Sequence, residues 1–369
     1  MIIKGKYNQA EIMIDDPDYH TITQVKLMCD QEALQNSKIR IMPDACPGIV
    51  AVIGTTLTIE DKVLPAMVSS DIGCGVLVST FKDKRIEFGK LDKIIREQII
   101  ERKKVDNIVN KYANRLNLED LRCVKYIDLG RAYASLGTCG SNNHFIEVDK
   151  DDSGNLYLII HSGSRHLGTQ VYEYYMNKGY EIIKAKNPSF NRMFTYIEGD
   201  LLENYLHDCK ITQEYARANR EAMAEIISKE LKNKITDQFE SVHNYVAVDE
   251  KIVRKGAISA KEDELLIIPI NMRDGCIIGR GKGNPNWNNS APHGAGRLFS
   301  RSDAKEMFTV NEYKKQMTGI YTSCIGTDTL DECPMAYKDI DYIADKIKDA
   351  VEIEKIIKPV YNFKDCSRR

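Results

Sequence analysis

H-F-I-E-V-D-K-D-D-S-G-N-L-Y-L-I-I-H, residues 144–161, sets two apolar runs on either side of a polar segment and a histidine at each end. Phe145–Val148 and Leu156–Ile160 are short apolar runs rich in strand-forming residues. The polar segment Asp149–Asn155 between them is a hairpin signal. In an antiparallel hairpin the start of the first strand lies beside the end of the second. His144 and His161 occupy those two places, so the local pattern predicts both imidazoles at one sheet edge, far from the turn. Either alone reads as a satisfied structural histidine. Two that converge beside Gly/Ser loops favour a site, because a neutral imidazole is a common metal ligand.

Outward on the C-terminal side, His161 opens H-S-G-S-R-H-L-G. Arg165, Ser162, Ser164 and the loop amides would make a phosphate cradle, with a helix starting at Thr169 whose N-terminus favours an anion. His166 has no clear partner. Gly168–Ile235 has helical spacing of aromatic and aliphatic residues. Asn219 and Arg220 are its polar exceptions, which helix pairing would satisfy as readily as a ligand. His207 reads as a surface residue, and His243 follows near the end of this helical region.

On the N-terminal side, Arg85–Leu116 predicts one or two helices. Val63–Thr80 predicts strand, tight loop, strand around S-S-D-I-G-C-G. Asp71 and Cys74, three apart in that loop, could share a metal; a buried cysteine beside a turn aspartate fits equally. Ile39–Gly48 reads as a strand running into a Pro/Gly-broken loop, with Asp44 at the turn, either an Asx-turn residue or a carboxylate that orients a histidine. Ile12–Ile14 and Ile22–Met28 read as short strands, and His20 as surface.

Further on, Leu265–Ile270 and Cys276–Ile278 are predicted strands, and Gly279–Ser290 a Gly/Asn-rich binding loop. Ser290–Arg301, S-A-P-H-G-A-G-R-L-F-S-R, sets His293 beside small residues and two arginines. Small residues let backbone approach a ligand, and arginine matches phosphate oxygens in a fixed fork. His293 could be base, metal ligand or nucleophile, or a surface histidine on a turn. Leu265–Arg301 carries five bases against one acid, a local charge of +4. Ser302–Gln316 and an amphipathic Ile340–Ile357 are predicted helices, with Cys324–Tyr337 a loop between them.

Composition frames these readings. The 369 residues are 43% hydrophobic and 29% charged, with a net charge of −2. This is ordinary globular make-up without a global basic field. Ten cysteines form no CxxC pair, the first residues hold no apolar signal core, and no stretch is suited to span a bilayer. A reducing cytoplasm, with thiols free for packing or metal, is the compartment expected.

Asp71, Cys74, His144, His161 and His243 supply one carboxylate, one thiol and three imidazoles, enough for a dinuclear site if the thiolate bridges two ions. Nine further motifs accompany D-I-G-C-G-V (71–76). They are M-P-D (42–44), L-G-T-C-G-S-N-N-H-F-I-E (136–147), H-S-G-S-R-H-L-G (161–168), A-N-R (218–220), H-N (243–244), R-K-G-A (254–257), H-G-A-G-R-L-F-S-R (293–301), D-E-C-P-M-A-Y-K-D (331–339) and K-P-V-Y-N-F-K (358–364). In this order the chain resembles the RtcB family of RNA ligases, which act in tRNA splicing and RNA repair.

The resemblance implies one α+β domain over residues 1–369, with mixed sheets around a central metal and nucleotide site, peripheral helices, and a poorly matched 1–40. It implies two Mn²⁺ ions, one on Asp71, Cys74 and His144, the other on Cys74, His161 and His243. It implies that His293 attacks the α-phosphorus of GTP and that Asp44 orients it. Asn143, Phe145, Glu147, Asn271, Cys276, Ala295, Gly296, Tyr337 and Lys364 fall on nucleotide positions, with Glu147 and Lys364 reading the guanine edge. Arg165 and Arg297 would hold RNA phosphates. The substrates implied are RNA ends bearing a 2′,3′-cyclic phosphate or 3′-phosphate and RNA ends bearing a 5′-hydroxyl, with no membrane partner and an accessory activator left open.

The chain departs from the family pattern in three places. Cys46 stands where the family has histidine, and Asn271 and Cys276 stand where it has serines. A repair-specialised paralogue is the reading drawn from these departures. By intrinsic affinity a Cys/His/Asp site prefers Zn²⁺ to Mn²⁺. The alternatives are a metal-dependent RNA phosphoesterase or nuclease on the same scaffold without guanylation, and a non-catalytic RNA-binding protein.

Overall fold

The computed structural model describes residues 1–15, 17–100, 107–140 and 143–364. Cys366, residues 101–106 of the Arg85–Leu116 segment, and Ser141 and Asn142 of the 136–147 motif lie outside the described residues.

The hairpin forms as predicted. Phe145–Lys150 pairs antiparallel with Leu156–Ser162, and Phe145 stands opposite His161. The first strand runs two residues further than expected, so the turn tightens to Asp151–Asn155, where the Asp151 carboxylate accepts from the Asn155 backbone N–H. Around this hairpin grows a twelve-stranded sheet. Its order is Ile2–Lys4, Gln9–Ile12, Ile39–Cys46, Ile53–Thr58, Ile252–Lys255, Ile235–Ala247, Cys74–Phe81, Leu156–Ser162, Phe145–Lys150, Val351–Lys364, Gly275–Gly281 and Leu265–Asn271. Gln9–Ile12 pairs parallel with Ile39–Cys46 and the other neighbours are antiparallel, so the sheet is mixed and the class is α+β.

Every residue of Leu156–Ser162 is buried, which requires both faces of the sheet to be covered. Leu156, Leu158 and Ile160 join the main core, which also holds apolar residues of the helices Arg165–Lys186 and Gly199–Leu231. Tyr157 and Ile159 point to the other face and pack with Val76, Val78, Ile267, Cys276, Ile278 and Ile357. With a side-chain period of two, His161 shares that second face. Its cross-strand partners bring Phe145, Glu147 and Asp149 there as well. The candidate site is therefore built on the sheet face turned away from the long helices.

Several expectations fail, some for a local reason and some because a distant strand offers a partner. Ile22–Met28 lies in the helix Tyr19–Cys29, whose first turn is capped by Asp18; Thr21, Val25, Met28 and Cys29 are its buried stripe at helical spacing. Val63–Val68 is not a strand beyond Lys62–Val63, because Pro65 fixes its own φ and offers no N–H, and a 3₁₀ turn, Pro65–Met67, follows. Arg165, not Thr169, begins its helix. Asp44 sits inside the strand Ile39–Cys46, where the pairing register shifts, rather than at a turn. His243 belongs to the 13-residue strand Ile235–Ala247 instead of a helix end. The predicted Ile340–Ile357 helix stops at Lys346, and Val351–Lys364 becomes a 14-residue strand. The V-E-I-E-K part of that run alternates with period two, and tertiary pairing on both sides selects that period. The basic Leu265–Arg301 segment is largely neutralised by Asp274, Glu354, Asp331 and Glu332. Among the described residues no helix is long and apolar enough to cross a membrane.

Candidate active site

Three neighbouring strands and two loops deliver the predicted ligands to one place. Cys74 opens its strand, His161 lies near the end of the next, and His243 comes from the long strand on the other side of Cys74. Cys74 Sγ is 3.4 Å from His144 Nε2 and 3.3 Å from His161 Nε2. His144 Nε2 is 3.0 Å from Asp71 Oδ2, and the Nε2 atoms of His161 and His243 stand 3.2 Å apart. Three imidazole nitrogens, a thiol and a carboxylate oxygen crowded this closely form a set that could hold a cation.

The electrostatics agree. Burial, with neighbouring positive groups, pushes His161 and His243 well below the ordinary histidine value, so both rings are neutral and each keeps a lone pair. Burial opposes ionisation of Asp71, yet its hydrogen bond with His144 wins and holds the carboxyl at about 2. Burial and the Asp71 charge push the Cys74 thiol up, which a bound cation would reverse. His144 Nδ1 is oriented by the Cys139 carbonyl at 2.9 Å, the kind of outer contact that aims a ligand. Nδ1 of His161 and of His243 meets no partner among the described residues.

His293 stands beside this cluster, its ring 4.9 Å from that of His243. Its Nδ1 is 2.6 Å from Asp44 Oδ2, and its backbone N–H donates to the same oxygen at 3.1 Å. Asp44 is fully buried, so the dyad is fixed from behind and Nε2 is the nitrogen left for chemistry. Two glycines make room. A Cβ on Gly163 would stand 2.0 Å from Asp71 Oδ1, and one on Gly296, where φ is +73°, would stand 2.3 Å from the Asp44 carbonyl oxygen.

A cavity opens in front of His293. His161, His243, Asn143, Phe145, Glu147 and Asn271 line it, as do Ala295, Gly296, Arg297, Tyr337 and Lys364. Of the residues predicted for nucleotide and RNA phosphate, two are off its wall. Cys276 is completely buried behind Glu147, its Sγ 3.9 Å from Glu147 Oε1. Arg165 lies at the start of its helix with Nε on Thr138 Oγ1. Arg297 donates to the Asp331 carbonyl and the Tyr337 hydroxyl, and Lys364 Nζ meets Glu332. Asn271 holds the following turn, donating to Asp274 and accepting from the backbone of Arg273 and Asp274. Cys46, at the departure from the family pattern, lines the cavity.

Sequence reasoning missed the layer that ties these loops together. Asn219 accepts from the N–H groups of Gly137 and Thr138 and donates to Thr138 O, Ser162 Oγ and Gly163 O. Arg220 donates to the carbonyls of Gly73 and Ser162, both at 2.8 Å, and to Glu240. Asn244 donates to the carbonyls of Val68 and Asp71. A polar pair on an otherwise apolar helix face was the available signal for the first two.

The comparisons with known proteins cover most of the chain. The family model described as tRNA-splicing ligase RtcB matches residues 96–365. The chain is 29% identical over 362 residues to the RNA-splicing ligase RtcB of Escherichia coli strain K12, covering 85% of this chain and 87% of that one. It is 30% identical to the RNA-splicing ligase RtcB1 of another Escherichia coli strain, with the same coverage. It is 24% identical to the tRNA-splicing ligase RtcB of Nanoarchaeum equitans, over 86% of this chain and 85% of that one.

Proposed function

The chain belongs to the RtcB family of RNA-splicing ligases, and from that premise we propose that it joins RNA ends bearing a 2′,3′-cyclic phosphate or 3′-phosphate to 5′-hydroxyl ends, using GTP and Mn²⁺. The observation that carries the reading is the His293–Asp44 dyad, 2.6 Å apart, set against a Cys/His/Asp cluster at the wall of a cavity. Hydrolysis by metals alone needs no histidine locked by a buried carboxylate.

In this reading His293 Nε2 attacks the α-phosphorus of GTP. An N–P bond forms, the α–β bridging P–O bond breaks, and pyrophosphate leaves with the electron pair. Asp44 keeps the proton on Nδ1 and so presents the lone pair on Nε2, the role of the aspartate in a Ser-His-Asp triad. Water opens a 2′,3′-cyclic end, adding to phosphorus as the P–O2′ bond breaks and the 2′-hydroxyl is released, and the resulting 3′-phosphate takes GMP from His293 in a new P–O–P bond as the N–P bond breaks. The 5′-hydroxyl of the second RNA then attacks and GMP departs. Splitting one hard displacement into easier ones is the purpose of the covalent step.

Asp71, Cys74 and His144 would hold one Mn²⁺, and Cys74, His161 and His243 the other; the soft donors among them fit a transition metal, with Zn²⁺ the intrinsic competitor. Bound cations would neutralise phosphate charge and position the entering and leaving oxygens. Glu147 and Lys364 would read guanine, with Asn143, Phe145, Asn271, Ala295, Gly296 and Tyr337 around the nucleotide and Cys276 acting from behind Glu147. Arg165 and Arg297 would contact RNA phosphates. We extend the proposal to a single ligase unit over residues 1–369, a cytoplasmic location and a repair-specialised role. Efficient joining of generic tRNA halves would count against that last part.

Incubation with GTP radiolabelled at the α-phosphate, with Mn²⁺ and a denaturing gel, tests the proposal. Acid-labile, alkali-stable label on the wild type and none on His293→Ala is the expected result. No label on metal-loaded protein would overturn it. The second reading, a metal-dependent RNA phosphoesterase, draws on Cys276 lying off the cavity wall and Asn271 being committed to Asp274. That activity would survive His293→Ala.

A further inference from the structure

Behind the cavity wall lies an unusual buried group. Asp149 is fully buried, and neither of its carboxylate oxygens accepts a hydrogen bond from an N–H or O–H among the described residues. What faces it is Glu147, two residues away on the same strand and itself buried, together with the Cys276 thiol. Ligand atoms of all three lie within 4.8 Å of one another. The nearby cations are committed elsewhere. Lys358 Nζ donates to the Asp274 carbonyl and Lys364 Nζ meets Glu332. On the neighbouring strand Tyr157, opposite Asp149, is bonded to Asp151 and Lys355. Asn362 donates to Glu147 Oε2. Two buried carboxylates this close, with no cation bonded to Asp149 among the described residues, cannot both stay ionised.

We propose that Asp149 is a positioning residue that holds one proton shared with Glu147 and donates it as a hydrogen bond, which keeps Glu147 the ionised, doubly accepting carboxylate that selects guanine over adenine. This rests on the reading of Glu147 as the guanine-facing residue. The chemistry of the base edges supplies the selectivity. Guanine offers two donors, N1–H and N2–H, to one carboxylate. Adenine offers one acceptor, N1, and one donor, N6–H, and so matches a protonated carboxyl instead. Burial raises both groups, Glu147 to about 7 and Asp149 well above the ordinary aspartate value, and their mutual hydrogen bond raises Asp149 while lowering Glu147. Glu147 already accepts from Asn362, whereas Asp149 receives no N–H or O–H among the described residues, so the proton rests on Asp149, the donor, and Glu147 is the acceptor. Guanine preference is present above the Glu147 value and is lost as pH falls through it.

Equilibrium binding of GTP and ATP, compared from about pH 5.5 to about pH 8.5, reads the effect, and infrared spectra of the nucleotide-free protein read the pair directly. The wild type should prefer GTP at the alkaline end and lose that preference toward acid. Asp149→Asn keeps a donor on Glu147 and cannot titrate, so it should retain the preference. Asp149→Leu removes the donor and should weaken GTP binding about tenfold at neutral pH, moving the acid limb upward. A protonated-carboxyl C=O band should persist near about pH 8 in the wild type and vanish in Asp149→Asn. Absence of that band, or a loss of selectivity in Asp149→Asn as large as in Asp149→Leu, would overturn the proposal. So would a third equivalent of metal, bound by the wild type and lost in Cys276→Ser, because Asp149 would then be a ligand. If the band is present and the wild type does not favour GTP, the shared proton stands while guanine selection by Glu147 is refuted.

Discussion

Arg220→Met is the perturbation that tests how the site is held. Arg220 has no exposed surface, and its guanidinium bonds the carbonyls of Gly73 and Ser162 at 2.8 Å each and Glu240 at 2.7 Å. Methionine is unbranched and fills much of the same volume, so the cavity contribution is small. Two buried carbonyls lose charged donors, at about 1–3 kcal/mol each. Glu240 keeps Arg217 at 3.4 Å and a partly exposed side chain, so it is not stranded. The net loss should be about 3–5 kcal/mol, in the range of other broken buried ion pairs. Gly73 lies between Asp71 and Cys74, and Ser162 follows His161, so the same change loosens ligands on both sides of the cluster. Metal affinity should fall by about 10–100-fold, as for lost outer-shell contacts. Urea unfolding of metal-free protein measures the first effect, and Mn²⁺ titration of folded protein measures the second. Arg220→Lys keeps the charge without the fork and should fall between. A stability loss under about 1 kcal/mol with unchanged metal binding would refute the view that Arg220 clamps the ligand loops.

Other predictions follow from single contacts. Asp44→Asn should leave the fold intact and cut the rate of His293 labelling by about 10²–10⁴-fold, through loss of the orienting carboxylate; labelling within a factor of about 3 of wild type would refute that role. Gly163→Ala places a methyl where Asp71 Oδ1 lies, so Mn²⁺ affinity should drop while unfolding of the metal-free protein changes little, as metal titration and urea denaturation together would reveal. Glu332 is buried, which opposes ionisation, yet Lys364 and Arg301 hold it down to about 2. The stability it contributes, about 2–3 kcal/mol, is therefore present above the ordinary glutamate value and lost as pH falls from there toward about 2. Glu332→Gln should flatten that part of the acid-unfolding curve relative to wild type.

What the sequence alone determined was local. Alternation around a polar turn was enough for the hairpin and for the convergence of His144 and His161, because a hairpin's register follows from residues next to each other in the chain. Helical spacing was enough for Gly199–Leu231. Motif order was enough for the family, and through it for His243, whose strand setting the residues themselves did not reveal. What tertiary structure decided was whatever depends on a distant partner. V-E-I-E-K-I-I can satisfy either period, and it became a strand because Gly275–Gly281 and Phe145–Lys150 offer backbone partners on both sides. Asn219 and Arg220 became clamps only when their helix was laid against the site loops. Cys276 and Glu147, 129 residues apart, meet only through the strand Val351–Lys364 between theirs. Burial there changes the chemistry of the carboxyls, because ionisation depends on the water a group has lost, and no short window of sequence encodes that loss.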